Sequence, residues 1–311
     1  MDTTNQTHDH DGPFRHEALL YAGDDEFVDR IAAFVREGVE VGEPSLVVVA
    51  APKIGRLREE LGPDAEAVQF ADMQEVGINP ARIIPAWRKF VGSYAPDLPL
   101  RGVGEPIWAA RAGDELVECQ RHEALLNLAF PDAPLWLVCP YDVEALPAEV
   151  VEEARRSHPV VAAAGGRARS DSYAAGALVG DVLAPAPTDA AEMQFGYGGL
   201  KRMRAFVHEH AAQAGVDRDR RIELVLAANE IASNSLEHGG GAGVLRFWSD
   251  PAAVVCEISD TGRLDDPLAD RRLPTHDGAR GRGFWIANHV CDLVQVRSGA
   301  DGTVVRLHVR R

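Results

Sequence analysis

At 311 residues, with 46% hydrophobic and 26% charged side chains, the chain is long enough for two globular domains, each burying its own core. No apolar run approaches the roughly 18–20 residues that cross a bilayer, which argues against a membrane protein. The net charge of −16 falls almost entirely before residue 197, and such an acidic surface repels nucleic-acid phosphates.

The N-terminus is polar and acidic, without the basic start and apolar segment of a signal peptide. Residues 1–13 read as a flexible tail, and His8, His10 and His16 as tail histidines, not metal ligands. Cys119, Cys139, Cys256 and Cys291 form no Cys-x-x-Cys pair, so free buried thiols and a cytoplasmic location are expected.

Residues 14–162 alternate strand and helix signals. A short apolar run at 18–22 is followed by helical spacing through Phe27, Ile31, Phe34, Val35 and Val39. Ser45-Leu-Val-Val-Val-Ala50 suits a central strand, residues 54–61 a helix and 68–71 a strand. Asn79-Pro80 opens a further helix through Ile84, Trp87 and Phe90. A segment at 101–105, a helix over 115–130 and a buried strand at 134–139 complete the pattern. This predicts an α/β domain: a parallel sheet covered by helices.

Residues 163–196, rich in Gly, Ala, Pro and Ser, read as a linker. Residues 197–311 differ in pattern. Helices at 200–214 and 218–238 precede strands at 244–248 and 254–259, a helix at 283–291, and strands at 293–297 and 303–309. That order predicts an α+β sandwich, a mixed sheet with helices on one face.

Chemistry concentrates in this second part. Glu230 and Asn234 lie four residues apart and share a helix face, while Leu224, Leu226, Ile231 and Leu236 are expected to seat that helix on a core. An Asn oxygen can serve Mg²⁺ alongside phosphate and water ligands, and a neighbouring Glu can accept a proton from a nucleophile. Asp260-Thr-Gly262 ends a strand; its carboxylate can accept a hydrogen bond from an exocyclic amine, and Gly262 lets a flat ring approach. Gly281 and Gly283 precede a helix whose free N–H groups suit phosphate, with Arg280 and Arg282 beside them. Thr303 opens the final strand.

In this order the elements resemble the Bergerat-fold (GHKL) ATP-binding family, in its serine-protein-kinase and anti-sigma-factor branch typified by RsbW. The resemblance implies that Asn234 coordinates Mg²⁺ and that Glu230 is the catalytic base toward a protein hydroxyl. It further implies that Asp260 reads adenine, with Gly262, Gly281, Gly283, Thr303 and Arg282 completing the ATP site. One departure stands out: Leu264 occupies a position where the family often has a second glycine. The segment 263–280 corresponds to the ATP lid. A sensor histidine kinase shares this fold, but His208-Glu-His210 is followed by Ala-Ala-Gln-Ala-Gly and lacks the phosphoacceptor pattern.

Residues 14–159 resemble the MEDS sensory domain through Phe14–Tyr21, Asn79–Arg82, Arg101–Trp108, Glu118–Asn127 and Cys139–Asp142. That family is related to RecA/KaiC-like ATPases without their P-loop, and residues 21–26 here carry no Lys-Ser/Thr. Arg101, Glu105, Trp108, His122, Glu123 and Tyr141 are candidate sensory-pocket residues near strand ends; internal ion pairing is the alternative. Cys119-x-x-His122 offers too few ligands for a metal site. The two resemblances together imply an ATP- and Mg²⁺-dependent anti-sigma kinase under sensory control. The partners implied are a sigma factor, an anti-anti-sigma (STAS) protein, a small-molecule ligand and a second copy of the chain. The alternative is a nucleotide-gated binding module that transfers no phosphate.

Overall fold

The computed structural model describes residues 13–111, 113–178, 180, 182–250, 252–274 and 282–311. They fall into two compact units, one within Met1–Val76, Trp87–Ala112 and Glu123–Ala177, the other within Gly77–Ala86, Gly113–His122 and Leu178–Arg311. Among the described residues no helix is long and apolar enough to cross a membrane.

The first unit is built on seven strands: β1 (Arg15–Tyr21), β2 (Ser45–Val49), β3 (Val68–Asp72), β4 (Leu100–Gly104), β5 (Leu135–Asp142), β6 (Val160–Ala163) and β7 (Gly166–Arg169). They lie in the order β3-β2-β4-β5-β1-β6-β7, all parallel except the β6–β7 pair. Every residue of β2 is buried, which is why its run of valines shows no alternation. The intervening helices are α1 (Gly23–Val41), α2 (Ala51–Leu61), α3 (Met73–Val76), α4 (Ile83–Val91), α5 (Gly113–Ala129) and α6 (Ala148–Ser157). Helix α1 buries Phe27, Ile31, Phe34 and Val35, one stripe at helical spacing, and stops at Gly42 in the left-handed region. Ala22 alone separates β1 from α1, whose first turn carries Asp24, Asp25 and Glu26. That acidic turn is unsuited to phosphate.

The second unit pairs β8 (Ala191–Gly196), β9 (Ala242–Ser249), β10 (Ala253–Asp260), β11 (Leu293–Gly299) and β12 (Gly302–Arg310) in the order β11-β12-β10-β9-β8. All four pairings are antiparallel, so the expectation of a mixed sheet is corrected. Its helices are α7 (Leu200–Gln213), α8 (Arg218–His238) and α9 (Arg282–Val290). Leu224, Ala227, Ala228, Ile231, Ala232 and Leu236 of α8 pack into a core with α7 and the sheet. Leu226, expected on that face, is 43% exposed instead; the small Ala227 and Ala228 occupy the buried stripe and let helix and sheet approach closely. The sheet also carries a cross-strand ion ladder, Glu192–Arg246–Glu257–Arg306.

The segment 163–196 is more structured than its composition suggests, since β7 and β8 lie within it, each on the edge of its own sheet. In β8 the alternation is present but short: Phe195 is buried and Met193 packs against the core.

Candidate nucleotide-binding site

Asp217 caps the start of α8 through its carboxylate, which accepts the backbone N–H groups of Asp219 and Arg220 at 3.1 and 3.3 Å. The helix then runs for 21 residues to His238, long enough to present several turns to one cleft. Glu230 and Asn234 are half-buried on that cleft's wall, while Ile231 and Ser235 beside them are buried. The cleft encloses about 680 Å³ and is lined by Glu230, Asn234, Asp260, Gly262, Arg282, Gly283 and Thr303. Every expected site residue of this unit that lies among the described residues is therefore in one cavity. Gly281, Arg280 and the lid residues 275–280 lie outside the described residues.

Asp260, at the end of β10, is held at both carboxylate oxygens. Ser235 Oγ donates to Oδ2 at 2.6 Å, and the Gly262 backbone N–H donates to Oδ1 at 2.8 Å. Each oxygen keeps lone-pair capacity for a further donor. Thr303, opposite Asp260 in the β10–β12 register, donates to the Gly262 carbonyl at 2.8 Å and shares a 2.8 Å hydrogen bond with Ser298. The turn after β10 is thus tied to α8 on one side and β12 on the other.

Close backbone approach makes this possible. A Cβ on Gly262 would lie 2.6 Å from Gly239 Cα and 2.7 Å from the His238 carbonyl oxygen. Gly302 has φ +117°, and a Cβ there would collide with the Asp260 carbonyl oxygen. At the other end of the cleft, the start of α9 packs over the polar face of α8. A Cβ on Gly283 would stand 3.1 Å from Asn234 Nδ2 and 3.5 Å from Glu230 Cβ. Arg282 at the first position of α9 is exposed. Leu264, where the second glycine was expected, donates its backbone N–H to Ser298 Oγ at 2.8 Å.

Ser235, Gly239 and Gly302 escaped the sequence reading as site residues. A serine on the otherwise apolar stripe of α8 is the signal that could have found the first. The two glycines gain their meaning only from packing against Asp260.

Several of the candidate sensory residues make internal pairs, and Arg101 and Glu105 sit at opposite ends of β4. Arg101, near the start of β4, donates to the Phe34 carbonyl at 2.6 Å and to Glu43 at 2.5 Å, and pairs with Glu37 at 3.2 Å. Glu105 follows the opposite end of that strand, where its Oε1 accepts from Tyr21 at 2.7 Å and from Lys53 at 2.6 Å. Burial raises the Glu105 pKa, and Lys53 opposes the shift. The guanidinium of Arg111 stacks over Trp108 at 4.2 Å. His122 is buried in the part of α5 that groups with the second unit. Glu123 and Tyr141 flank His158, the tyrosine ring edge-on at 5.6 Å and the carboxylate at 3.3 Å. His16, expected in a disordered tail, is instead buried in β1. His8 and His10 lie outside the described residues.

Comparison with known proteins finds one family match in each part of the chain. Residues 15–159 match the MEDS family (methanogen/methylotroph, DcmR sensory domain). Residues 197–309 match the histidine kinase-like ATPase domain family. No curated protein matches. A crystal structure of the RsbU and RsbW domains of a Mycobacterium tuberculosis protein matches at 21% identity and a TM-score of 0.31, over 40% of this chain and 33% of that one. Residues 15–159 thus carry a MEDS sensory domain and residues 197–309 a histidine kinase-like ATPase domain.

Proposed function

We propose that the cleft of the ATPase domain binds ATP with Mg²⁺ and that the domain is a serine/threonine protein kinase acting as an anti-sigma factor under control of the MEDS domain. The observation that carries this reading is the convergence of Glu230, Asn234, Asp260 and Thr303 in one cavity of about 680 Å³, a size suited to a nucleotide. The donor set fits that ligand. Asp260, oriented by Ser235 and Gly262, accepts a hydrogen bond from the adenine amino group. Asn234 offers one neutral oxygen to the metal, and the start of α9, with Arg282, receives phosphate. Bound Mg²⁺ supplies charge neutralisation at the phosphates. Glu230, one helical turn from Asn234, would accept the proton of a partner's serine or threonine hydroxyl as that oxygen bonds to the terminal phosphorus and the bond to the bridging oxygen breaks, releasing ADP.

By the same reading the protein substrate is an anti-anti-sigma (STAS) partner, and the unphosphorylated partner competes with a sigma factor for this domain. Incubation with radiolabelled ATP and a candidate STAS protein tests the transfer step. Label on the partner, lost with Glu230→Ala while ATP binding persists, supports the kinase. Absence of label transfer, with partner binding still responsive to nucleotide, would replace it with a nucleotide-gated binding module.

A further inference from the structure

Four side chains that the nucleotide cleft does not use converge in the interior of the first unit. His16 comes from β1, Glu123 from α5, Cys139 from β5 and His158 from the residue that closes α6. All four are buried, and one possible ligand atom from each lies within 4.8 Å of the others. Glu123 Oε2 is 3.2 Å from His16 Nε2 and 3.3 Å from His158 Nε2. Cys139 Sγ is 3.4 Å from His16 Nε2.

The surrounding hydrogen bonds fix the proton on each ring. Asn127 Nδ2 donates to the Ser157 carbonyl at 2.8 Å, which turns Asn127 Oδ1 toward His16 Nδ1 at 3.1 Å. His16 Nδ1 is therefore the donor. His158 Nδ1 faces the Ala154 carbonyl at 2.7 Å, an acceptor only, and so donates as well. Both Nε2 atoms then face the same centre, His16 Nε2 within reach of Cys139 Sγ and Glu123 Oε2. His158 is 0% exposed, and its Nε2 makes no hydrogen bond. A lone pair facing a carboxylate oxygen gains nothing unless a proton or a cation stands between them. Imidazoles oriented by a carbonyl or amide oxygen at Nδ1, with Nε2 turned inward, are the usual arrangement of metal-bound histidines.

We propose that His16, Glu123, Cys139 and His158 form a closed site for one borderline-soft divalent transition-metal ion, zinc. One sulfur, two nitrogens and one oxygen suit a tetrahedral zinc centre. A thiolate and a carboxylate balance its two positive charges, so the buried assembly is neutral. On binding, the Cys139 S–H bond breaks, its proton leaves to solvent and the sulfur–metal bond forms, with no change of oxidation state. The ion ties β1, β5, α5 and the end of α6 together, and the site stands whether or not the ATPase domain transfers phosphate.

The test uses the full chain purified without an affinity tag that binds metal. Elemental analysis should find one zinc per chain. After chelation, titration with Co²⁺ should give thiolate-to-cobalt charge-transfer absorption that vanishes in Cys139→Ser and persists in Cys256→Ser. Asn127→Ala, which frees the His16 ring without touching a ligand, should weaken Co²⁺ binding about 10- to 100-fold with circular dichroism unchanged. If Cys139→Ser does not fold, the wild-type measurements decide alone. Wild-type protein that carries no zinc and develops no charge-transfer band would overturn the proposal, as would an undiminished band in a folded Cys139→Ser.

Discussion

The two units use fixed polar groups in opposite ways. In the second, Asp260 is pinned by Ser235 and Gly262 yet stays on a cleft wall with acceptor capacity to spare. In the first, Glu105 is buried at 3% exposure and spends one oxygen on both Tyr21 and Lys53. A site preorganised for a ligand leaves an orientated group facing open volume, whereas a structural pair closes on itself. Fractional burial and partner count separate the two roles where residue type does not.

The largest effect is expected in the backbone packing beneath Asp260. Gly302→Ala adds a Cβ against the Asp260 carbonyl oxygen at a positive φ, and should cost about 3 kcal/mol or more in the urea unfolding of the second unit. A midpoint unchanged from wild type would show that the β10–β12 end is not tightly packed. Lys53→Met leaves the Glu105 carboxylate buried with Tyr21 alone, and a loss of about 3 kcal/mol in first-unit stability is expected. An equal loss of ATP affinity, without unfolding, would blur the distinction between the units.

Asp260→Asn should weaken ATP binding by about 1.5–3 kcal/mol, since a charge-assisted bond is lost while Ser235 and Gly262 keep the side chain in place. Ser235→Ala removes only the orienting hydroxyl, and a smaller loss of about 1 kcal/mol should appear in the same calorimetric titration. A separate effect is set by acid. Burial lowers the His308 pKa from 6.5 to about 4. The unfolded chain then binds a proton that the folded unit refuses, so stability is full above about pH 6.5 and falls as pH drops toward 4. His308→Gln should flatten that part of the stability profile, and an identical profile would remove His308 as its source.

Much of the cleft was legible because its parts are local. Glu230 and Asn234 share a helix face by spacing, and Asp260-Thr-Gly262 and Gly283 mark turns beside regular elements. The alternating strand and helix pattern likewise gave the parallel sheet of the first unit. What escaped depends on contacts between distant segments. Ser235 acquires its role only where α8 packs over β10, and Lys53 only where α2 meets the end of β4. The His16, Glu123, Cys139 and His158 cluster draws on four separated segments, so no spacing announces it. The proximity of His16 to the chain start drew the eye to a tail, although β1 begins at Arg15. The β8 strand was hidden by Pro- and Ala-rich residues just before it.

The most direct test of the central claim is calorimetric titration of the full chain with ATP, with and without Mg²⁺, in wild type, Asp260→Asn and Asn234→Ala. Saturable binding is expected, weakened by Asp260→Asn under both conditions. Mg²⁺ should strengthen binding in wild type and lose that effect in Asn234→Ala. Equal affinity in all three proteins, indifferent to Mg²⁺, would contradict it.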